Sequence, residues 1–157
     1  MARLPLQILV IPYRYRDDGR IEYAIFRRGD HSEDCWQGVA GGVEQGETAE
    51  QAARREAMEE AGVPFKAPLV SLDAVASVPA FHFQDRDLWG PDVYVVLERA
   101  FGIYLEDDLT IVLSREHTEY RWVAYEEASR LLKWDSNRTA LWELNERLKR
   151  DDINVPS

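Results

Sequence analysis

The stretch Gly41-x5-Glu47-x7-Arg55-Glu56-Ala57-x-Glu59-Glu60-x-Gly62-Val63 sets four glutamates, one arginine and punctuating glycines into a loop followed by a helix. Thr48, with Gln51 three residues later, has the form of a capping box. Gly62 fits the position just past a helix end, and Pro64 forbids continuation. These signals predict a helix over 49–61. At roughly 100° per residue, Glu56, Glu59 and Glu60 then fall within an arc of about 100° and share one face.

A solvated acidic face is the ordinary reading of a glutamate-rich helix. Two details oppose it. Like charges three and four residues apart cost a few tenths of a kcal/mol per pair, and no lysine lies between Met1 and Val63 to relieve them. The rest of the helix is small: Ala49, Ala52, Ala53, Ala57 and Ala61 let its backbone lie close to a sheet or a glycine loop. Crowded carboxylates on a close-packed scaffold point to a divalent cation. Oxygen-only donors favour a hard ion, Mg2+ or Mn2+, since zinc prefers histidine or cysteine. Such an ion cancels charge on a polyphosphate and lowers the pKa of a bound water. A chain of formal net charge -10 needs that local reversal of sign to bind phosphate.

The spacing of this segment resembles the signature box of the Nudix hydrolases. Ala57 stands where that family usually has a larger aliphatic residue, a change that removes no ligand. The resemblance implies an α/β sandwich with a mixed sheet between helices. It implies Glu56 and Glu60 as principal metal ligands, Glu59 as a further ligand or the group that activates water, and the carbonyl of Gly41 as completing the site. Arg55 and Glu47 would tie loop to helix through an ion pair, which places Arg55 within the catalytic group as a structural member.

At 157 residues the chain suits one hydrophobic core, so a single domain over 1–157 is expected. Its 45% hydrophobic and 31% charged residues are ordinary for a soluble globular protein, and no apolar run reaches the ~18 residues of a membrane span. Leu4 to Ile11 is apolar but short and lacks a cleavage site, so a cytoplasmic protein is expected. Cys35 is the sole cysteine, which agrees with a reducing compartment and reads as a structural thiol. The acidic balance, without a basic patch, disfavours nucleic acid and membrane as partners and leaves a small polyphosphate. A monomer or homodimer is expected.

Along the chain, Gln7–Tyr15 and Ile21–Arg27 read as strands joined at Asp17-Asp18-Gly19. Residues 29–47 read as loop. Leu69–Val78 reads as extended, Pro79–Pro91 as an irregular insertion, and Asp92–Leu105 as a β-rich run with an interruption at Gly102. Glu119–Val123 reads as a short strand. Tyr125–Leu132 and Ser136–Lys149 read as helices, the second with Ala140, Leu141, Leu144 and Leu148 on one stripe.

Before that short strand, Glu116, His117, Tyr120 and Trp122 resemble a Glu-His-x-x-Tyr-x-Trp arrangement found in several Nudix subfamilies. It implies Glu116 as a distal metal ligand or general base, with Glu119 in reserve. His117 is read either as a phosphate donor or proton acceptor, or as satisfying loop backbone groups. Trp36-Gln37-Gly38-Val39 and Trp134-Asp135-Ser136-Asn137-Arg138 resemble a bacterial folate-pathway branch of the family. That implies release of pyrophosphate from dihydroneopterin triphosphate, or from dATP.

A pterin or purine ring needs a flat apolar surface and a few edge hydrogen bonds. Trp36, Phe83, Trp89 and Trp134 are candidates for the surface, and Ser136 and Asn137 for the edge. Each tryptophan also has a core reading, and Ser136 a reading as helix cap. Arg27 is the phosphate-binding candidate at the end of the second strand. The mechanism these residues imply is attack of an activated water on phosphorus, with no covalent nucleophile. A diadenosine polyphosphate or nucleoside-diphosphate-sugar hydrolase would share the metal site and differ in the pocket. A nucleotide-sensing binding module is the non-enzymatic rival.

Overall fold

The computed structural model describes residues 3–28, 35–115 and 117–153. Strands β1 (Arg3–Tyr15), β2 (Ile21–Arg28), β3 (Trp36–Gln37) and β4 (Val39–Glu44) precede helix α1 (Ala49–Ala61). Then come β5 (Leu69–Pro79), a 3-10 turn (Ala80–His82), the short helix α2 (Arg86–Trp89) and β6 (Val95–Tyr104). Strand β7 (His117–Val123) and helices α3 (Tyr125–Leu131) and α4 (Asp135–Arg150) complete the described chain. The sheet runs β3-β2-β1-β6-β5, with β4 also paired to β1 and β7 to β2. Only the β1–β6 pairing is parallel among the described strands; the others are antiparallel, so the sheet is mixed.

Alternation along β1 divides the core. Ile8 and Val10 face α1, whose buried stripe is Ala52, Ala53, Ala57 and Ala61. Leu9, Ile11 and Tyr13 face α4 and its stripe Ala140, Leu141, Leu144 and Leu148. Two core layers on opposite faces of one sheet give the expected α/β sandwich.

The capping box forms: Gln51 N–H donates to Thr48 Oγ1 at 3.1 Å, and Thr48 N–H donates to Gln51 Oε1 at 2.9 Å. Gly62 ends α1 at φ 70°, a left-handed conformation that glycine adopts without the steric cost of a Cβ.

Three expectations change. The stretch 29–47 is not all loop, because β3 and β4 lie within it, and β4 contains Gly41-Gly42 despite glycine's poor strand propensity. Gly102 does not interrupt β6: it lies inside the strand, where a Cβ would meet Leu144 Cδ1 at 2.7 Å, so its role is close approach of α4. Ser136 does not cap α4, which starts at Asp135 after Trp134.

Candidate active site

Helix α1 presents Glu56, Glu59 and Glu60 with one carboxylate oxygen of each within 4.8 Å of the others. Their environments differ. The Glu60 side chain is 8% exposed, and its Oε2 accepts from Ser114 Oγ at 2.5 Å and lies 3.5 Å from His117 Nδ1. The Glu59 side chain is 51% exposed, touched at 3.3 Å by Arg55. Glu56 is largely buried, and burial pushes its carboxyl up to about 7 against the opposing pull of Arg55; Glu59 and Glu60 push it further in the same direction.

Arg55 is the hub. Its Nε and Nη2 donate to the two oxygens of Glu47 at 2.7 and 3.0 Å. Nη2 also reaches the Gly42 carbonyl at 2.9 Å, and Nη1 reaches Glu56 at 2.8 Å. The fork on Glu47 holds that carboxyl below the usual range and raises Arg55 in turn. Glu47 also accepts from the Glu44 N–H at 3.0 Å, so loop and helix are locked by the expected pair.

At Gly41 a Cβ would fall inside the Glu56 carboxyl group, so glycine here lets β4 lie over that glutamate without displacing its carboxyl. Oxygen donors converge under a glycine strand, one of them destabilised as an anion by burial and by two like neighbours. This donor set fits a hard divalent cation.

The segment before β7 folds against the end of α1: Val112 N–H donates to Ala61 O at 3.0 Å and Ser114 N–H to Glu60 O at 3.3 Å. Glu116 lies outside the described residues. The β2–β7 register steps from Arg27↔Glu119 to Arg28↔His117, and this bulge turns His117 toward Glu60 and Phe26. Glu119 is thereby corrected as the reserve for the distal role. It lies on the opposite strand parity to Tyr120 and Trp122, which pack with the α1 layer, and it accepts from Arg27 at 3.5 Å and Arg121 at 3.2 Å.

On the α4 face a pocket of about 450 Å3 opens between β5, β6 and the first turn of α4. Trp134, 46% exposed, and Ser136 line it. Two other candidates are corrected. Trp36 is 4% exposed, packed in the core with Leu132 and covered by the Arg121 guanidinium at 4.7 Å, so its faces are spent on packing. Asn137 is 3% exposed, and its Oδ1 accepts from the Gly38 N–H at 2.8 Å; it ties α4 to the residue between β3 and β4. Phe83 does not line the pocket. It sits under the Arg3 guanidinium at 4.8 Å, next to Trp89, whose indole N–H donates to the Arg3 carbonyl at 2.7 Å. Arg27 is the penultimate residue of β2, partly exposed and paired with Glu119 at 3.5 Å.

Three residues were not anticipated. Arg3 packs against Gly42, where a Cβ would collide with it, and donates to Gln7 Oε1 at 2.8 Å. Gln7 Nε2 donates to Glu98 Oε2 at 2.6 Å, and Glu98, 5% exposed, lies on the pocket floor. The available signal was parity: Glu98 falls between Val96 and Ala100, in the buried row of its strand.

The NUDIX domain family matches residues 6–143. The dihydroneopterin triphosphate diphosphatase of Escherichia coli K12 is 37% identical over 139 residues, covering 87% of this chain and 89% of that protein. A Listeria monocytogenes protein assigned to the NUDIX hydrolases superposes with a TM-score of 0.85 at 43% identity, over 98% of this chain and 100% of that one. The Escherichia coli dihydroneopterin triphosphate pyrophosphohydrolase superposes with a TM-score of 0.74 at 32% identity, over 92% and 99%. With its acidic helix, glycine strand and arginine hub matching that signature, the chain belongs to the Nudix family, as a hydrolase of diphosphate bonds.

Proposed function

We propose that this chain is a Mg2+-dependent pyrophosphohydrolase of dihydroneopterin triphosphate, forming a monophosphate and pyrophosphate in the cytoplasm. Mn2+ would substitute for Mg2+, and dATP is the second triphosphate to test. One Nudix domain over 1–157, as monomer or homodimer, carries the activity. The observation behind the chemistry is the carboxylate cluster of Glu56, Glu59 and Glu60. The substrate rests on likeness to the Escherichia coli diphosphatase.

Glu56, Glu60 and the Gly41 carbonyl would hold the ion, with Glu116 as a further ligand. Once bound, it supplies neutralisation of phosphate charge and acidification of water. Glu59, the most exposed of the three carboxylates, takes the proton of the attacking water, or Glu116 does. Ser114 and His117 orient Glu60. Arg55 positions Glu56 and Glu47 rather than touching substrate. Arg27 would receive phosphate, exchanging its 3.5 Å contact with Glu119 for a stronger one. Trp134 gives the ring a flat surface beside Ser136. Oxygens on phosphorus are stabilised by charge already in place, so no covalent intermediate is needed.

The test is a panel of dihydroneopterin triphosphate, dATP, diadenosine tetraphosphate and ADP-ribose with purified protein and Mg2+, with products identified. Fastest turnover of the pterin with pyrophosphate released supports the proposal. Faster cleavage of the dinucleotide or sugar nucleotide overturns the substrate, and no turnover of any of them overturns the enzyme in favour of a nucleotide-binding module.

A further inference from the structure

Strand β6 alternates exposed Val95, Leu97 and Arg99 with buried Val96, Glu98 and Ala100. A carboxylate in the buried row gives up water and needs hydrogen-bond partners in its place. What Glu98 has is one neutral amide, Gln7 Nε2, on one oxygen. Among the described residues no cation pairs with it. Arg99 is on the other face of the strand, and Arg3 spends its Nη2 on Gln7 Oε1. Oε1 of Glu98 accepts no hydrogen bond from the described residues, yet it is not sealed off from the pocket. Gln7 cannot turn to offer more: its carbonyl oxygen is held by Arg3, which leaves its NH2 group directed at Glu98.

The pocket above Glu98 completes the description of what would satisfy it. Trp134 offers a half-exposed ring at the mouth, Ser77 and Ser136 offer hydroxyls, and Asp135 adds a second negative charge. Among the described residues no arginine or lysine lines it, so phosphate does not belong there. A flat ligand presenting two neighbouring N–H donors does. A ring N–H flanked by an exocyclic amino group makes two parallel bonds to one carboxylate, the geometry by which a guanidinium recognises the same group. Adenine offers an amino group beside an acceptor, and uracil an N–H between two acceptors; neither matches.

Glu98 is also linked to the acidic cluster across the sheet. Gln7 pairs with Glu98 on one side and with Gly42 of β4 on the other. Arg3 abuts Gly42, whose neighbour Gly41 lies against Glu56.

We propose that Glu98, oriented by Gln7 and Arg3, is the specificity-determining residue of the pocket and selects rings with the amino-oxo-pyrimidine edge that pterins and guanine share. This deepens the proposed function and rests on it for the placement of the ring. Binding of guanosine, inosine, adenosine and N1-methylguanosine monophosphates, measured by calorimetry without divalent ion, separates the two claims. Wild-type protein should bind the guanosine compound tightest, with a loss of about ten- to a hundredfold on removing the amino group or blocking the ring N–H, as for one bidentate base contact. Glu98→Gln should erase that preference, bringing the guanosine compound down to the affinity of the inosine compound.

Equal affinities in the wild type, or a preference that survives in Glu98→Gln, would overturn the proposal. The N1-methyl and inosine ligands test the edge in the unaltered protein, so a variant that fails to fold does not remove the test. A Glu98-dependent preference in a protein that releases no pyrophosphate would sink the reaction but keep the ring reading. Turnover reduced equally on guanine and adenine triphosphates in Glu98→Gln would sink only the ring reading.

Discussion

Replacing Glu56 by glutamine keeps its size and its contact with Arg55 but removes a titration that burial has displaced. The carboxyl, pushed up to about 7 in the folded protein, has an ordinary value of 4.5. Between those two values the folded chain holds a proton that the unfolded chain has lost. Stability is therefore highest toward pH 4.5, falls as pH rises through 7, and is level above it. The displacement corresponds to about 3 kcal/mol at most, or about 2 kcal/mol after discounting for the water that still reaches the site. In a domain of this size that is roughly 4–8 °C in Tm. The assay is a pair of Tm-against-pH series, wild type and Glu56→Gln, in chelator. The difference curve should be near zero at pH 5 and favour the variant by several degrees at pH 8. Added Mg2+ should raise the wild type alone, most strongly above pH 7, where no proton must leave first. Parallel curves for the two proteins would refute the idea that Glu56 is held as a strained anion awaiting a cation.

Gly41→Ala drives a Cβ into the Glu56 carboxyl, so kcat/KM should fall at least tenfold, on the order of the loss expected when site geometry is displaced, while the melting transition stays cooperative. Arg55→Ala leaves Glu47 and Glu56 without their shared donor, and chemical denaturation should show a loss of about 2–3 kcal/mol, with Arg55→Lys recovering only part because it lacks the fork. Asn137→Ala strips the acceptor from the Gly38 N–H and should cost about 1–3 kcal/mol, whereas Asn137→Asp, which retains an acceptor, should cost less in the same urea series. An Asn137→Ala protein with full stability but a raised KM would instead return that residue to the ring pocket.

How much of this could be read in advance depends on the range of the interactions. Helix α1 was legible to the residue because its signals are local: the Thr48–Gln51 box, Gly62 with Pro64 behind it, and an alanine stripe of period 3.6. The convergence of Glu56, Glu59 and Glu60 follows from that same period. Strands β3 and β4 escaped because one has two residues and the other is built on glycines, whose presence reflects Glu56 and Arg3 packed beneath them rather than strand propensity. Trp36 and Asn137 were misplaced since their partners, Leu132 and Gly38, are about a hundred residues away in sequence and only pairing shows which side they face. The bulge at Arg27/Arg28 is equally silent in sequence, yet it separates His117 from Glu119. Glu98 carried a parity signal, but its partner Gln7 is 91 residues distant.

The central claim is that the carboxylates of α1 hold a divalent ion that makes diphosphate hydrolysis possible. It is tested most directly by the rate of pyrophosphate release from dihydroneopterin triphosphate as Mg2+ is titrated, in the wild type and in Glu59→Gln and Glu60→Gln. Saturable dependence on Mg2+ in the wild type is predicted, with turnover lost by at least a hundredfold in Glu59→Gln, as for removal of a general base. Glu60→Gln should need far more ion for half-maximal rate. Hydrolysis that persists in chelator, or that both variants retain at the wild-type rate and Mg2+ requirement, would contradict the account.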